Sequence, residues 1–100
     1  MPSVFLSNVA LRDLDRLEEF LCATQDPLAY GLLDFIMDAL DVLTHQPGVG
    51  RPIAGGMREL IITRRQSGYL AKYELDVSAD IVRVVRIRHQ RESGYTEEEV

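Results

Sequence analysis

The sequence predicts an α+β protein in the order β-α-α-β-β-β, a helical hairpin packed on one face of a mainly antiparallel twisted sheet. Three observations predict it. The first half carries apolar residues at helical spacing: Ala10, Leu14, Leu17 and Leu21, then Ala29, Leu32, Leu33, Ile36, Leu40 and Leu43. The second half changes to a two-residue alternation, with Tyr69, Ala71, Tyr73, Leu75 and Val77 set against Leu70, Lys72, Glu74 and Asp76. Between the halves, Gln46 to Gly56 holds four glycines and two prolines in eleven residues, a loop by composition.

Val4-Phe5-Leu6-Ser7 reads as a short strand or extended arm. Asn8 is the candidate cap of the first helix, its side chain accepting a free backbone N–H, and that helix stops near Thr24. Asp26-Pro27 starts the second, because Asp is a preferred cap and proline loses no intrahelical N–H in the first turn. Its stripe runs to about His45. Asp34, Asp38 and Asp41 share another side of this helix, either a solvated face or a docking site for a basic partner. Met57 to Arg65 is rich in β-branched and apolar residues, Gln66-Ser67-Gly68 is a hairpin turn, and Ser78-Ala79-Asp80 turns the chain again into Ile81–His89. There Val85 and Ile87 alternate with Arg86 and Arg88. The hairpin covers one sheet face, so the other face or its rim holds much of the arginine set. Thr96 to Val100 is expected to be frayed or weakly helical.

The 100 residues fit one domain, 1–100, and 46% hydrophobic with 27% charged residues is ordinary globular composition. No apolar run approaches the roughly 18–20 residues of a membrane span, and the start of the chain lacks the basic and apolar regions of a signal peptide. The lone Cys22 excludes an internal disulfide, which suits a reducing cytoplasm. No metal-ligand spacing is present, and the glycines at 48, 50, 55 and 56 lack the Lys-Ser/Thr of a phosphate cradle, so neither metal nor cofactor is expected.

The net charge of −5 conceals an asymmetry. Residues 1–50 hold two arginines against eight acidic groups, 51–91 hold nine basic groups against four acidic, and 92–100 add four glutamates. Screening acts over about 8 Å in physiological salt, so a partner feels the nearest block more than the sum.

The Pro47-Gly48-Val49-Gly50-Arg51-Pro52 loop, Met57-Arg58-Glu59-Leu60 opening the sheet, Ser67-Gly68-Tyr69 followed by Tyr73, and Arg86-Ile87-Arg88-His89-Gln90-Arg91-Glu92 at the exit stand in a particular order and spacing. In these the chain resembles RelE/ParE-superfamily toxins of type II toxin–antitoxin systems, including plasmid stabilisation proteins, over nearly its whole length. The resemblance implies a growth-arresting toxin neutralised by a cognate antitoxin in a hetero-oligomer, with the antitoxin wrapping it by a helix or strand. It also implies one of two targets. RelE-like members cleave messenger RNA on the ribosome; ParE-like members poison DNA gyrase without comparable chemistry. A third outcome is a non-toxic relative that keeps antitoxin binding alone.

Cleavage through the 2′-hydroxyl needs a base, an acid and cations for the phosphorane-like charge. Carried over by resemblance, the nuclease cations fall on Ile61, Thr63 and Leu70, which cannot serve. The exit positions fall on His89, which titrates near neutral pH, and on Tyr95. Arg64, Arg65, Arg86, Arg88 and Arg91 stand near enough to supply charge. If the chain is a nuclease, its catalytic candidates are His89, Arg91, Tyr95 and Arg65. Arg51, Arg58, Arg64, Arg86 and Arg88 are candidates for target or antitoxin contact, although Arg58 is expected first to anchor the loop or a carboxylate through its planar guanidinium, and Arg51 is divided evenly between loop anchor and partner contact. The missing cations favour a gyrase-type binding toxin over an enzyme.

Overall fold

The computed structural model describes residues 1–92. Strand β1 (Ser3–Leu6) leads into helix α1 (Asn8–Ala23) and, after a connection, helix α2 (Leu32–Leu40). Strands β2 (Arg51–Pro52), β3 (Arg58–Arg64), β4 (Ser67–Asp76) and β5 (Ile81–His89) follow. The sheet order is β1-β5-β4-β3-β2. β1 runs parallel to β5 and the other neighbours are antiparallel, so both helices pack over one mixed sheet. The core joins Leu14 and Leu17 of α1 and Leu32, Ile36 and Leu40 of α2 to Ile62, Tyr69, Ala71, Tyr73, Val82, Val84 and Ile87 of the sheet.

Ser7, not Asn8, caps α1. Its hydroxyl accepts from the Ala10 N–H at 3.0 Å and donates to the Val85 carbonyl at 2.9 Å, so one side chain both starts the helix and ties it to β5. Asn8 is the first helical residue.

The second helix is broken where the sequence predicted continuity. The Asp26 carboxylate accepts from Leu28 N at 2.9 Å, but the turn that follows is a single 3-10 turn over Pro27–Ala29. Gly31 then takes a left-handed φ of 77°, α2 spans only Leu32–Leu40, and a 3-10 turn at Asp41–Thr44 completes the stripe. The break has a partner: the Arg64 guanidinium donates to the carbonyls of Leu28 and Tyr30. In an unbroken helix those carbonyls would accept from residues four further on.

The β4–β5 register slips between Lys72 and Tyr73: Lys72 faces Arg86 and Tyr73 faces Val84, leaving Val85 as an extra residue. This bulge reverses the alternation of β5, so Val82, Val84 and Ile87 all reach the core. β1 ends one step away, at Leu6 opposite Val84. Asp13 of α1 occupies the vacated edge. Its carboxylate accepts from the Ile87 N–H at 2.9 Å and from Arg86 Nε and Nη2 at 2.9 and 3.1 Å. Asp13 is fully buried and Arg86 is 3% exposed. Arg86, expected on the open face, is thus folded against α1.

The glycine-rich loop is held from beneath. Tyr73, fully buried, donates its hydroxyl to the Pro47 carbonyl at 2.7 Å and accepts from Gly50 N at 2.9 Å. Arg58 donates to the Gly50 and Gly48 carbonyls at 2.7 and 3.2 Å. The short strand β2 lies within this loop, Arg51 opposite Glu59. The β3–β4 turn falls at Arg65-Gln66, earlier than predicted, with Arg65 at a φ of 57° and Gly68 inside β4.

Two outcomes test these anchors. Asp13→Ala takes the carboxylate partner from the buried Arg86 and lowers unfolding free energy by roughly 3–5 kcal/mol in urea titration. Adding Arg86→Met removes that buried charge and recovers part of the loss, the remainder being the unsatisfied Ile87 N–H at about 1–3 kcal/mol. Gly50→Ala also destabilises, because its Cβ would stand 2.7 Å from the Tyr73 hydroxyl and 2.9 Å from the Glu59 carbonyl oxygen. Thermal unfolding measured for Gly50→Ala and Gly48→Ala should shift the midpoint down only for the first, since Gly48 has open space around it.

Candidate functional site

A cleft of about 580 Å³ opens where β5 leaves the sheet beneath the C-terminal half of α1. Arg16, Leu17, Phe20 and Leu21 form its helical wall, Ser67 and Tyr69 its floor, and His89, Arg91 and Glu92 its rim. Helical spacing puts Leu17 and Leu21 on the core stripe and Arg16 and Phe20 beside it. Phe20 is left 66% exposed at the mouth.

The rim is a network centred on Glu92. One carboxylate oxygen accepts from the His89 N–H at 2.9 Å and the other from Arg16 Nη1 at 2.7 Å. Arg88 donates to the Glu92 carbonyl at 2.7 Å. Arg16 also stands 3.6 Å from Asp13, so the exit turn is linked through α1 to the buried ion pair.

His89 packs edge-on against Tyr69, ring centroids 5.1 Å apart. Its Nδ1 accepts the Arg91 backbone N–H at 3.0 Å, which requires a lone pair there and puts the proton of the neutral ring on Nε2. Burial lowers the His89 pKa below its ordinary 6.5, and the Arg91 charge lowers it further against the opposing pull of Glu92. Burial pushes the Tyr69 phenol above 10.0, Arg64 opposing. At neutral pH the cleft therefore holds a neutral imidazole and a phenol. The neutral imidazole donates a hydrogen bond from Nε2, and its other nitrogen is held by the Arg91 N–H, so taking up a proton means giving up that contact.

His89 and Arg91 are the only two nuclease candidates that the described residues bring together. Arg65 lies exposed in the β3–β4 turn, and Tyr95 lies outside the described residues. Arg86 is buried on Asp13, Arg58 is held by loop carbonyls, and Arg64 spans the helix break and covers the Phe35 ring at 5.4 Å. Arg88 is taken up at the exit turn. Arg51 pairs with Glu59 while its side chain stays 60% exposed. Tyr69, on the apolar face of its strand as the alternation predicts, reaches the cleft floor as well as the core, whereas sequence reasoning missed Arg16 and Phe20 as cleft residues. Their signal was an arginine and an aromatic four residues apart, flanking an apolar stripe.

The register also assigns the faces of β3 and β4. Ile61, Thr63 and Leu70 lie on the sheet face away from the helices, since Ile62, Tyr69 and Ala71 are the residues that meet the core. The positions on the helix side are Leu60, Ile62 and Arg64 of β3, and Tyr69 and Ala71 of β4. Among the described residues no cluster of three or more His, Cys, Asp or Glu could hold a metal, and no helix is long and apolar enough to cross a membrane.

Residues 4–94 match the family model described as the ParE toxin of type II toxin–antitoxin systems. The chain belongs to this family of toxins. Two relatives from Caulobacter vibrioides support the assignment. Toxin RelE3 is 34% identical over 92 residues, covering 92% of this chain and 98% of the relative. Toxin RelE1 is 39% identical over 88 residues, covering 87% and 91%. The chromosomal ParDE system from P. aeruginosa shares the fold, with a TM-score of 0.73 at 22% identity over 89% of this chain and 96% of that one. The toxin–antitoxin complex RelBE2 from Mycobacterium tuberculosis aligns at a TM-score of 0.55 and 25% identity, over 90% and 100%.

The toxin's cleft makes a prediction in solution. By NMR, His89 should titrate below 6.5, Arg91→Ala should raise its pKa, and Glu92→Gln should lower it further. Between the folded value and 6.5 the unfolded chain binds the proton more readily, so this group makes stability rise with pH through that window. A His89 titrating above 6.5 would contradict the geometry.

Proposed function

We propose that this toxin arrests growth in the cytoplasm by binding a protein target, DNA gyrase, without chemistry of its own. A cognate antitoxin neutralises it in a hetero-oligomeric complex. The family model carries the ParE name and the relatives carry the RelE name, so the choice between branches rests on residues.

The observation that carries the reading is the composition of the helix side of the sheet beside the cleft. Leu60, Ile62 and Ala71 are apolar positions in or against the core there, and the one arginine, Arg64, is committed to the Leu28 and Tyr30 carbonyls. RNA cleavage needs a proton acceptor and cations aimed at the reacting phosphate. His89 offers Nε2–H, a donor, and Arg16 is paired with Glu92 and Asp13. Such a cleft suits recognition of a protein surface, with Phe20 and Leu21 as apolar anchors and His89 and Arg91 as polar rim.

A ribosome-dependent endoribonuclease is the second reading. It is favoured by the convergence of His89, Arg91 and Arg16 on one cleft, where a rearranged exit turn would free Nδ1.

Induced expression followed by mapping of DNA and RNA ends separates the two. The binding toxin gives gyrase-linked DNA breaks with intact messenger RNA, and His89→Ala still arrests growth. Messenger RNA cut at defined positions, with both cutting and arrest lost in a folded His89→Ala, would instead establish the nuclease. No growth effect at all would leave a non-toxic antitoxin-binding relative.

A further inference from the structure

The outward side of α2 is an apolar edge beside an acidic one. Leu33 and Met37 are 47% and 42% exposed, and Tyr30, just before the helix, is 91% exposed. At 100° per residue Leu33 and Met37 neighbour Asp34, Asp38 and, just past the helix end, Asp41, all within less than half the helix circumference. None of the three carboxylates pairs with a cation among the described residues. The surrounding sequence deepens the field: residues 17–50 contain no Lys or Arg and six acidic groups.

We infer that this face of α2 docks a basic amphipathic segment of the cognate antitoxin, one presenting Lys or Arg beside aliphatic side chains. The inference rests on the toxin–antitoxin reading above and extends it to the chemistry of the partner. Charge complementarity selects the occupant. A nucleic acid is repelled, because its binding depends on phosphate neutralisation by cations. A second copy of this chain offers few cations to present. Arg16, Arg51, Arg83 and Arg86 are bound to the chain's own carboxylates, and Arg58, Arg64 and Arg88 to its carbonyls. A separate basic polypeptide supplies what the chain lacks. The apolar edge gives it an anchor, and the aspartates set orientation and steer the encounter.

The test uses the full chain and the antitoxin encoded beside it, with binding measured by fluorescence anisotropy in low and high salt. Asp34→Asn/Asp38→Asn/Asp41→Asn should weaken low-salt binding about tenfold, each exposed pair contributing about two- to threefold. It should also flatten the salt dependence. Leu33→Ser/Met37→Ser should weaken binding by about as much while the salt slope stays as it was. Circular dichroism confirms that both variants fold. If both bind with unchanged affinity and slope, the docking face lies elsewhere and the inference is wrong. It is equally wrong if sedimentation shows that these substitutions dissolve a homodimer instead. In either case growth arrest by the two variants remains intact if the target reading holds, so the two failures are told apart.

Discussion

One carboxylate holds this fold at the place where the sheet would otherwise fail. β1 pairs with β5 over four residues only, and beyond Leu6 the edge of β5 has no strand beside it. A buried N–H without an acceptor is costly, and the Val85 bulge removes the regular ladder that would supply one. Asp13 answers both at once, accepting from Ile87 N and from Arg86. Because Asp13 sits on α1, satisfying the sheet also fixes where the helix lies. The Ser7 hydroxyl does the same one turn earlier through the Val85 carbonyl. The cleft wall formed by Arg16 and Phe20 is therefore positioned by backbone needs of β5 at the bulge, and not by apolar packing alone.

The architecture was legible in the sequence because the period of the apolar residues changes cleanly at the glycine-rich loop. The element order β-α-α-β-β-β and the covering role of the hairpin follow from that change, while the two-residue strand β2 inside the loop does not. Three features were not legible, each for a physical reason. The break at Gly31 depends on Arg64, a residue far along the chain that takes two carbonyls from the helical ladder. Asp26-Pro27 signals a helix start equally well whether one turn follows or four. The bulge at Val85 leaves no mark, since Val84, Val85 and Ile87 are all apolar and both registers look alike. The cap moved from Asn8 to Ser7 because both side chains can accept an N–H, and only the β5 carbonyl nearby decides between them.

The site was half legible for a related reason. Leu60, Ile61 and Ile62 form an unbroken apolar run, so sequence alone does not say which of them face the helices. Register to Tyr69 and Ala71 does, and it places Ile61, Thr63 and Leu70 on the far side of the sheet. Leu60 and Ile62, on the helix side, bring no cation either. Counting arginines misled more seriously. The basic block of residues 51–91 suggests a cationic surface, yet Arg51, Arg58, Arg64, Arg83, Arg86 and Arg88 are each engaged by a carboxylate or carbonyl of the same chain. Their planar donor sets organise the loop, the helix break and the exit turn. Those contacts can be found only in three dimensions.

This inward use of cations bears on what the molecule can recognise. Guanidinium groups tied to internal carbonyls and carboxylates add little to the field that an approaching phosphate feels, whereas the carboxylates of α2 stay solvated and outward. The carboxylates of this face thus stand at the surface, while many of the arginines are fastened to the chain's own carboxylates and carbonyls. Nucleic-acid engagement needs the reverse arrangement, in which cations face out and release counterions on contact. A neutral histidine donor, a buried phenol and an exposed Phe20 at the cleft are the groups on which the proposed protein-binding role rests. The same economy that makes a 100-residue chain stable with so many arginines in its sheet also leaves few of them available for chemistry.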